Sequence, residues 1–292
     1  MIADSHRNII LIVVQVYKRA EHSIKVFEGL ERNQVSSFLV SFDKASDSES
    51  QSAQEEMIGY LDRKKSLSVE KLFHRERLGL ANAVVETVSK VLEVTDRIIF
   101  LEDDCVVRSG AIPFFFEGLR ALENNRQVRT ICGYSYPLRN LHWEKNQELM
   151  YAKRFSSWGW GTWRDRWSDY TRDLRYLVKC CHEKEIAITS IGVDIAKMLA
   201  RDEYLAGGRD IWSLSWTLLH FLTDTYAVFP RETFIDNIGF DGSGVHCRVT
   251  PAFQNSIHRS LFKSYDWNNI SYDPRNEKLI RNFMANNGQY IY

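Results

Sequence analysis

The sequence predicts an α/β fold, a mostly parallel sheet flanked by helices. Short apolar runs rich in β-branched and aromatic residues, of the kind covered on both faces of a sheet, recur up to residue 101. Segments with apolar residues at helical spacing alternate with them, and that alternation builds parallel sheets with helices on both faces. The fourth run, Ile98-Ile99-Phe100-Leu101, passes directly into Glu102-Asp103-Asp104. The sheet therefore meets water at three acids, and open α/β sheets bind ligands at the carboxyl ends of their strands.

Residues 8–16 form the first β-branched run. Ala20, Ile24, Phe27 and Leu30 follow at helical spacing. The joint, Tyr17-Lys18-Arg19, puts Arg19 at the carboxyl edge of the sheet, either as a solvated arginine or as a contact to a phosphate or base. Residues 36–42 read as a second strand ending at Asp43. Residues 44–56 are rich in Ser, Asp, Glu and Gln and read as a mobile loop leading into a helix around 57–61. A third strand spans 68–73, followed by His74-Arg75-Glu76-Arg77. Residues 80–94 are helical with Val84, Val88, Val91 and Leu92 on one face, and 97–101 are the fourth strand. There is no G-x-G-x-x-G or Walker A sequence, which disfavours phosphate binding by those loops.

Three adjacent acids at a strand end repel one another and lose hydration. A divalent cation is the simplest compensation. The alternative is a solvated acidic turn before the helix near Gly110. After that helix (111–122) and a strand (128–134), the sequence turns irregular through 140–148. It then reaches Trp158-Gly-Trp160-Gly-Thr-Trp163-Arg-Asp-Arg-Trp167, which fits neither helix nor strand periodicity. The rings either pack in a core or form a platform for a sugar, since Trp faces stack on sugars and Gly admits close approach.

Residues 174–199 read as helical. Asp210 precedes an almost wholly apolar helix over 214–222, either as an N-cap or as a functional carboxylate. A strand-like piece begins at 228, and Gly239-Phe-Asp241-Gly242-Ser243-Gly244-Val-His246 is a Gly-rich loop suited to closing over a ligand. Beyond it the tail is polar and weakly patterned.

Composition narrows the classes. Hydrophobic residues are 44% and charged residues 26%, ordinary for a globular chain. Lys+Arg and Asp+Glu both count 38, so nothing global points to nucleic acid. Aromatic content is 13% with 8 Trp, which draws attention to sugars or bases as ligands. No stretch reaches the ~18 apolar residues of a membrane span, and the first residues lack a leader's basic-then-apolar pattern. The 5 cysteines show no C-x-x-C, which fits reduced thiols in the cytoplasm. The segment 258–263 could graze a membrane surface.

Several motifs also fit one picture in order: Val40-Ser41-Phe42-Asp43, His74-Arg75, Leu101-Glu102-Asp103-Asp104, Ser157-Trp158-Gly-Trp160-Gly, and Asp210…Trp212 before the Gly-rich loop. Together they resemble the glycosyltransferase family of the Golgi N-acetylglucosaminyltransferase that begins complex N-glycans. The Trp-Gly-Trp-Gly-Thr-Trp-Arg run resembles related bacterial sugar transferases. The resemblance implies a GT-A (Rossmann-like) fold. Residues 1–135 would be the nucleotide-sugar-binding half, and 136–292 the acceptor-binding and catalytic half of one continuous domain. It implies a nucleotide-sugar donor, UDP-sugar favoured, Mn²⁺ or Mg²⁺, inversion at the anomeric carbon, and a glycan, glycolipid or glycoprotein acceptor. By resemblance Asp104 ligates the metal, Glu102 faces the transferred sugar, Asp103 lies on the nucleoside side and Asp43 contacts the base. Arg19, His74 and Arg75 match nucleotide-side positions. The family's base lies in a Trp-Asp-Asp-Trp stretch, and Arg209-Asp210-Ile211-Trp212 carries only one acid there. Asp210 is the candidate base. Ser243 and His246 would close over the diphosphate, with His246 a second metal contact or a plain loop histidine. Trp158, Trp160 and Trp163 are the candidate acceptor platform.

Two other classes compete. A sugar-1-phosphate nucleotidylyltransferase would share the sheet and the metal acids, but Gln15-Val-Tyr-Lys-Arg19 lacks the Gly-rich loop expected for a triphosphate. A non-catalytic carbohydrate-binding module would use the Trp cluster and would not need the acids.

Overall fold

The computed structural model describes residues 9–205, 211–244, 248–255 and 265–287. The first part alternates strand and helix: β1 (Ile10–Val16), α1 (Ala20–Arg32), β2 (Ser37–Phe42), α2 (Ser48–Arg63), β3 (Ser68–Phe73), α3 (Leu80–Val94) and β4 (Arg97–Glu102). β1, β2 and β4 are buried nearly throughout, which is why they read as continuous apolar runs. β3 is the sheet's edge and its burial nearly alternates.

Residues 44–56 contain most of α2 rather than a loop. Asp47 caps it, accepting from Ser50 N, while the Ser50 hydroxyl answers the Asp47 amide. The helix buries only Ser50, Gln54, Met57 and Leu61, so its polar surface hid it.

The chain continues with β5 (Cys105–Val107), α4 (Ala111–Ala121), β6 (Val128–Cys132), β7 (Leu149–Ala152), β8 (Trp160–Trp163), α5 (Arg164–Trp167), α6 (Leu174–Glu183), α7 (Ile188–Ile191), α8 (Val193–Leu199), α9 (Asp202–Leu205), α10 (Ser213–Leu222), β9 (Tyr226–Pro230), β10 (Ile235–Asn237), β11 (Ile270–Tyr272) and α11 (Pro274–Asn287). The helix expected over 174–199 is three pieces, interrupted at 184–187 and at Gly192. The tail carries β11 and α11, with Pro at the first helical position.

The nine-stranded sheet runs β11-β7-β9-β6-β8-β4-β1-β2-β3, with β5 and β10 paired as a separate antiparallel ribbon. β4, β1, β2 and β3 are mutually parallel. β8 is antiparallel to both β4 and β6, and β7 is antiparallel to β9. The sheet is thus mixed rather than purely parallel, and a strand from beyond residue 135 lies between two from before it.

All four residues of β8 are buried, as a central strand covered on both faces requires. Trp160 packs on Phe100, Trp167, Trp212 and Trp216. Trp163 donates its indole N–H to Leu119 O at 2.9 Å under the Arg166 guanidinium. Trp158 meets Tyr134, Phe240 and Phe253 edge-on. Gly159, at φ 64°, sits where a Cβ would meet Ile235 at 2.6 Å. The expected acceptor platform is therefore corrected: these three indoles are at most 8% exposed and other side chains cover their faces. Among the described residues no helix is long and apolar enough to cross a membrane.

Candidate active site

From β1 the chain crosses one way to β2 and β3, while β4 lies on the other side of β1. A reversal of this kind opens a crevice at the carboxyl ends of the two strands. The segments after β1 to β4 carry Arg19, Asp43, His74-Arg75 and Glu102-Asp103-Asp104, so the donor-side candidates share one sheet edge.

At the crevice Arg19 precedes α1 and reaches the acids after β4. Its Nε donates to Asp103 Oδ2 at 3.1 Å and its Nη2 to Asp103 Oδ1. The same Nη2 donates to Asp104 Oδ2 at 2.8 Å. A forked guanidinium is the geometry for two carboxylates at once. The Cys105 thiol lies 3.5 Å from Asp104 Oδ1. Asp104 is 4% exposed. The paired charges hold the Arg19 proton against the loss of hydration.

Glu102 is partly buried. Burial, then the negative charges of Asp104 and Asp103, push its carboxyl up to about 8. Burial also raises Asp103, against the pull of Arg19. Arg19 thus pairs with two of the three adjacent acids, and the cluster keeps more hard carboxylate oxygens than one guanidinium occupies. That donor set fits a divalent cation, and Asp104 is the residue that would hold it. Among the described residues no three His, Cys, Asp or Glu side chains gather in a metal-ligating cluster. His246 and Asp210 lie outside the described residues.

The Gly-rich loop approaches this site. Ile238 N donates to the Asp104 carbonyl at 2.9 Å, and Gly239 N to Asn237 Oδ1 at 2.8 Å. A Cβ on Gly239 would lie 2.2 Å from Asp104 Oδ2 and 2.9 Å from Arg19 Nη1. Farther on, Asp241 pairs with His22 of α1 at 3.0 Å and accepts from the Ser243 hydroxyl at 2.7 Å. Ser243 is therefore tied down beside the first turn of α1.

Along the edge, Asp43 is 3% exposed. It accepts from the amides of Lys44, Leu78 and Gly79 and from Arg77 Nε. Arg77 lies over the Tyr17 ring, 3.9 Å from its centroid. Sequence reading chose His74 and Arg75 from that quartet and passed over Arg77 and Tyr17. The only signal for Tyr17 was an aromatic directly after a strand. His74 is a correction: it is 5% exposed, with its ring held by Ser41, Thr87 and Glu86. That buried network leaves neither ring nitrogen for a nucleotide. Arg75 is exposed. Beyond the loop, a cavity of about 540 Å³ is lined in part by Asp236, Asn237, Phe240, Phe253 and Gln254.

No family model matches the chain, and no curated protein matches it. Among solved structures it is similar to a mannosyltransferase of Pyrobaculum calidifontis in complex with GDP-Man and Mn²⁺, with 13% identity over 56% of this chain and 47% of that one and a TM-score of 0.41. It is similar to S. aureus TarS 1-349, with 11% identity over 55% of this chain and 48% of that one and a TM-score of 0.37. A third is a 4-diphosphocytidyl-2C-methyl-D-erythritol synthase from Anaerococcus prevotii, at 7% identity, 63% and 78% coverage and a TM-score of 0.34. The chain spans about half the length of the first two.

Proposed function

We propose that the chain is a metal-dependent, inverting glycosyltransferase. It would move a sugar from a nucleotide-sugar, UDP-sugar favoured, to a hydroxyl of a glycan, glycolipid or glycoprotein. The carrying observation is the meeting of a forked guanidinium with two of three adjacent acids where the sheet order reverses.

A nucleoside diphosphate leaving group needs positive charge at its phosphates and a fixed carboxylate frame around them. Arg19 supplies the first from this chain, and the uncapped N-terminus of α1 points backbone amides at the same edge. A divalent cation, Mn²⁺ or Mg²⁺, bound by Asp104 with His246 as second ligand, would offset charge building on the departing phosphate. Glu102 would face the transferred sugar and Asp103 the nucleoside side. Tyr17 and Arg77 offer a flat surface beside Asp43 for the base, which supports a base site at that end.

Asp210 would take the acceptor proton, a role worth about 10²–10⁴ in rate. Its support is chain proximity: Trp212, two residues on, packs on Trp160 of β8, the neighbour of the strand that ends at Glu102. With the indoles of β8 in the core, the acceptor has the cavity beside the Gly-rich loop, where Asn237 and Gln254 amides accompany Phe240 and Phe253. The reaction belongs in the cytoplasm, where residues 258–263, outside the described residues, would allow peripheral membrane contact.

Incubating the full chain with UDP-, GDP- and CMP-sugars and Mn²⁺ tests the proposal. Slow donor hydrolysis, with metal-dependent thermal stabilisation by one nucleotide, is expected. Stabilisation by none of them would reject it.

A further inference from the structure

We infer that Arg19 is a resident counter-ion that occupies Asp104 only while the donor is absent, and that donor binding moves its guanidinium from Asp104 onto the diphosphate. The inference rests on the glycosyltransferase reading and adds a coupling between metal and nucleotide to it.

The geometry sets up a competition for one oxygen. Asp104 Oδ2 accepts from Arg19 Nη2 at 2.8 Å, while Oδ1 lies beside the Cys105 thiol at 3.5 Å. Gly239 backs Oδ2 so closely that its missing Cβ would overlap it. A hard cation approaches a carboxylate oxygen to about 2.0–2.6 Å. At Oδ2 it would contest the place of the guanidinium nitrogen and repel its charge.

Asp104 has little freedom to present itself differently. Its carbonyl is held by Ile238 N, and its carboxylate is enclosed. The moving part is therefore the arginine side chain. The Arg19 main chain is fixed, since its carbonyl accepts from both Ser23 N at 3.0 Å and Ser23 Oγ at 2.9 Å. Arg19 can release Asp104 and keep its root at the start of α1, on the side where a diphosphate would meet the helix.

Without a nucleotide, releasing Asp104 leaves Arg19 only Asp103. With a diphosphate present, the fork gains two anionic oxygens of the right spacing. Metal and nucleotide therefore promote each other's binding, and the coupling is reciprocal. Asp103, which accepts from Arg19 Nε at 3.1 Å, would be the hinge of the exchange.

Mn²⁺ binding, followed by electron paramagnetic resonance of the free ion, reads this without turnover. In the wild-type full chain, saturating nucleoside diphosphate (UDP, with GDP and CDP as alternatives) should tighten Mn²⁺ about 5–150-fold, the usual span of such couplings. Arg19→Gln should bind Mn²⁺ alone at least about fivefold more tightly than wild type and lose most of the coupling. Arg19→Lys keeps the charge but not the fork, so it should lose most of the coupling while binding Mn²⁺ alone no more tightly than the glutamine variant, and it guards against misfolding of that variant. Mn²⁺ affinity of Arg19→Gln equal to or weaker than wild type without nucleotide, or full coupling kept in Arg19→Lys, would overturn the exchange. Absence of any nucleotide effect in the wild type would instead reject the glycosyltransferase reading. The metal-only comparison of wild type and variants stands independently of it.

Discussion

Gly239→Ala is the sharpest probe of the site's packing. The added Cβ would lie 2.2 Å from Asp104 Oδ2, 2.9 Å from Asp104 Cγ and 2.9 Å from Arg19 Nη1. Restoring ordinary contact requires a movement of about 1 Å. The segment cannot simply back away: Ile238 N is bonded to the Asp104 carbonyl at 2.9 Å and Gly239 N to Asn237 at 2.8 Å. The displacement falls on the 2.8 Å Arg19–Asp104 bond. Overpacking of this kind costs about 1–3 kcal/mol of stability, and a 1 Å misplacement of a catalytic frame costs about 10²-fold in rate. Chemical denaturation and donor turnover, measured together, check both. An alanine variant with wild-type midpoint and turnover would refute the close approach of the Gly-rich loop to Asp104.

Trp160→Ala should lose about 3–5 kcal/mol in denaturant unfolding, as for a large core ring. An acceptor-binding defect with unchanged stability would return that indole to the site. Asp43→Ala should cost about 1–3 kcal/mol, because it strips the partly buried amides of Leu78 and Gly79 of their acceptor. A base-binding defect alone, with no shift in midpoint, would contradict that bonding. Asp241 is held down to about 2 by the Ser243 hydroxyl, and further by the Ser243 amide and His22. Its folded value lies below its ordinary one, so its tether on the loop is full above about pH 4 and lost as pH falls toward about 2. Hydrogen exchange at the Ser243 amide should show that acid limb, and Asp241→Asn should abolish it.

The first four strands were legible because each is covered on both faces or lies beside one that is, and local pattern is enough for such strands. The expected strand at 68–73 and helix at 80–94 coincide with β3 and α3. α2 was hidden by its polar surface, although Asp47 and Ser50 carried a capping signal. β8 was illegible for the opposite reason: Trp-Gly-Thr-Trp is buried on every side by elements distant in sequence, so neither period survives. Its antiparallel insertion between β4 and β6 is a long-range fact that no local spacing encodes. In the site, the acids and Arg19 were found at strand ends. Their mutual pairing was not, and the compensation first assigned to a cation alone is shared with an arginine 84 residues from Asp103. Arg77 was missed because the choice within His74-Arg75-Glu76-Arg77 turns on loop geometry, which places Arg77 on Asp43 and buries His74.

Calorimetric titration of a nucleoside diphosphate into wild-type and Asp104→Ala protein, each with Mn²⁺ and with a chelator, tests the central claim most directly. Wild-type binding should strengthen with Mn²⁺ and weaken on chelation, while Asp104→Ala binds the same with and without metal. Metal-dependent nucleotide binding that survives intact in Asp104→Ala would contradict the account.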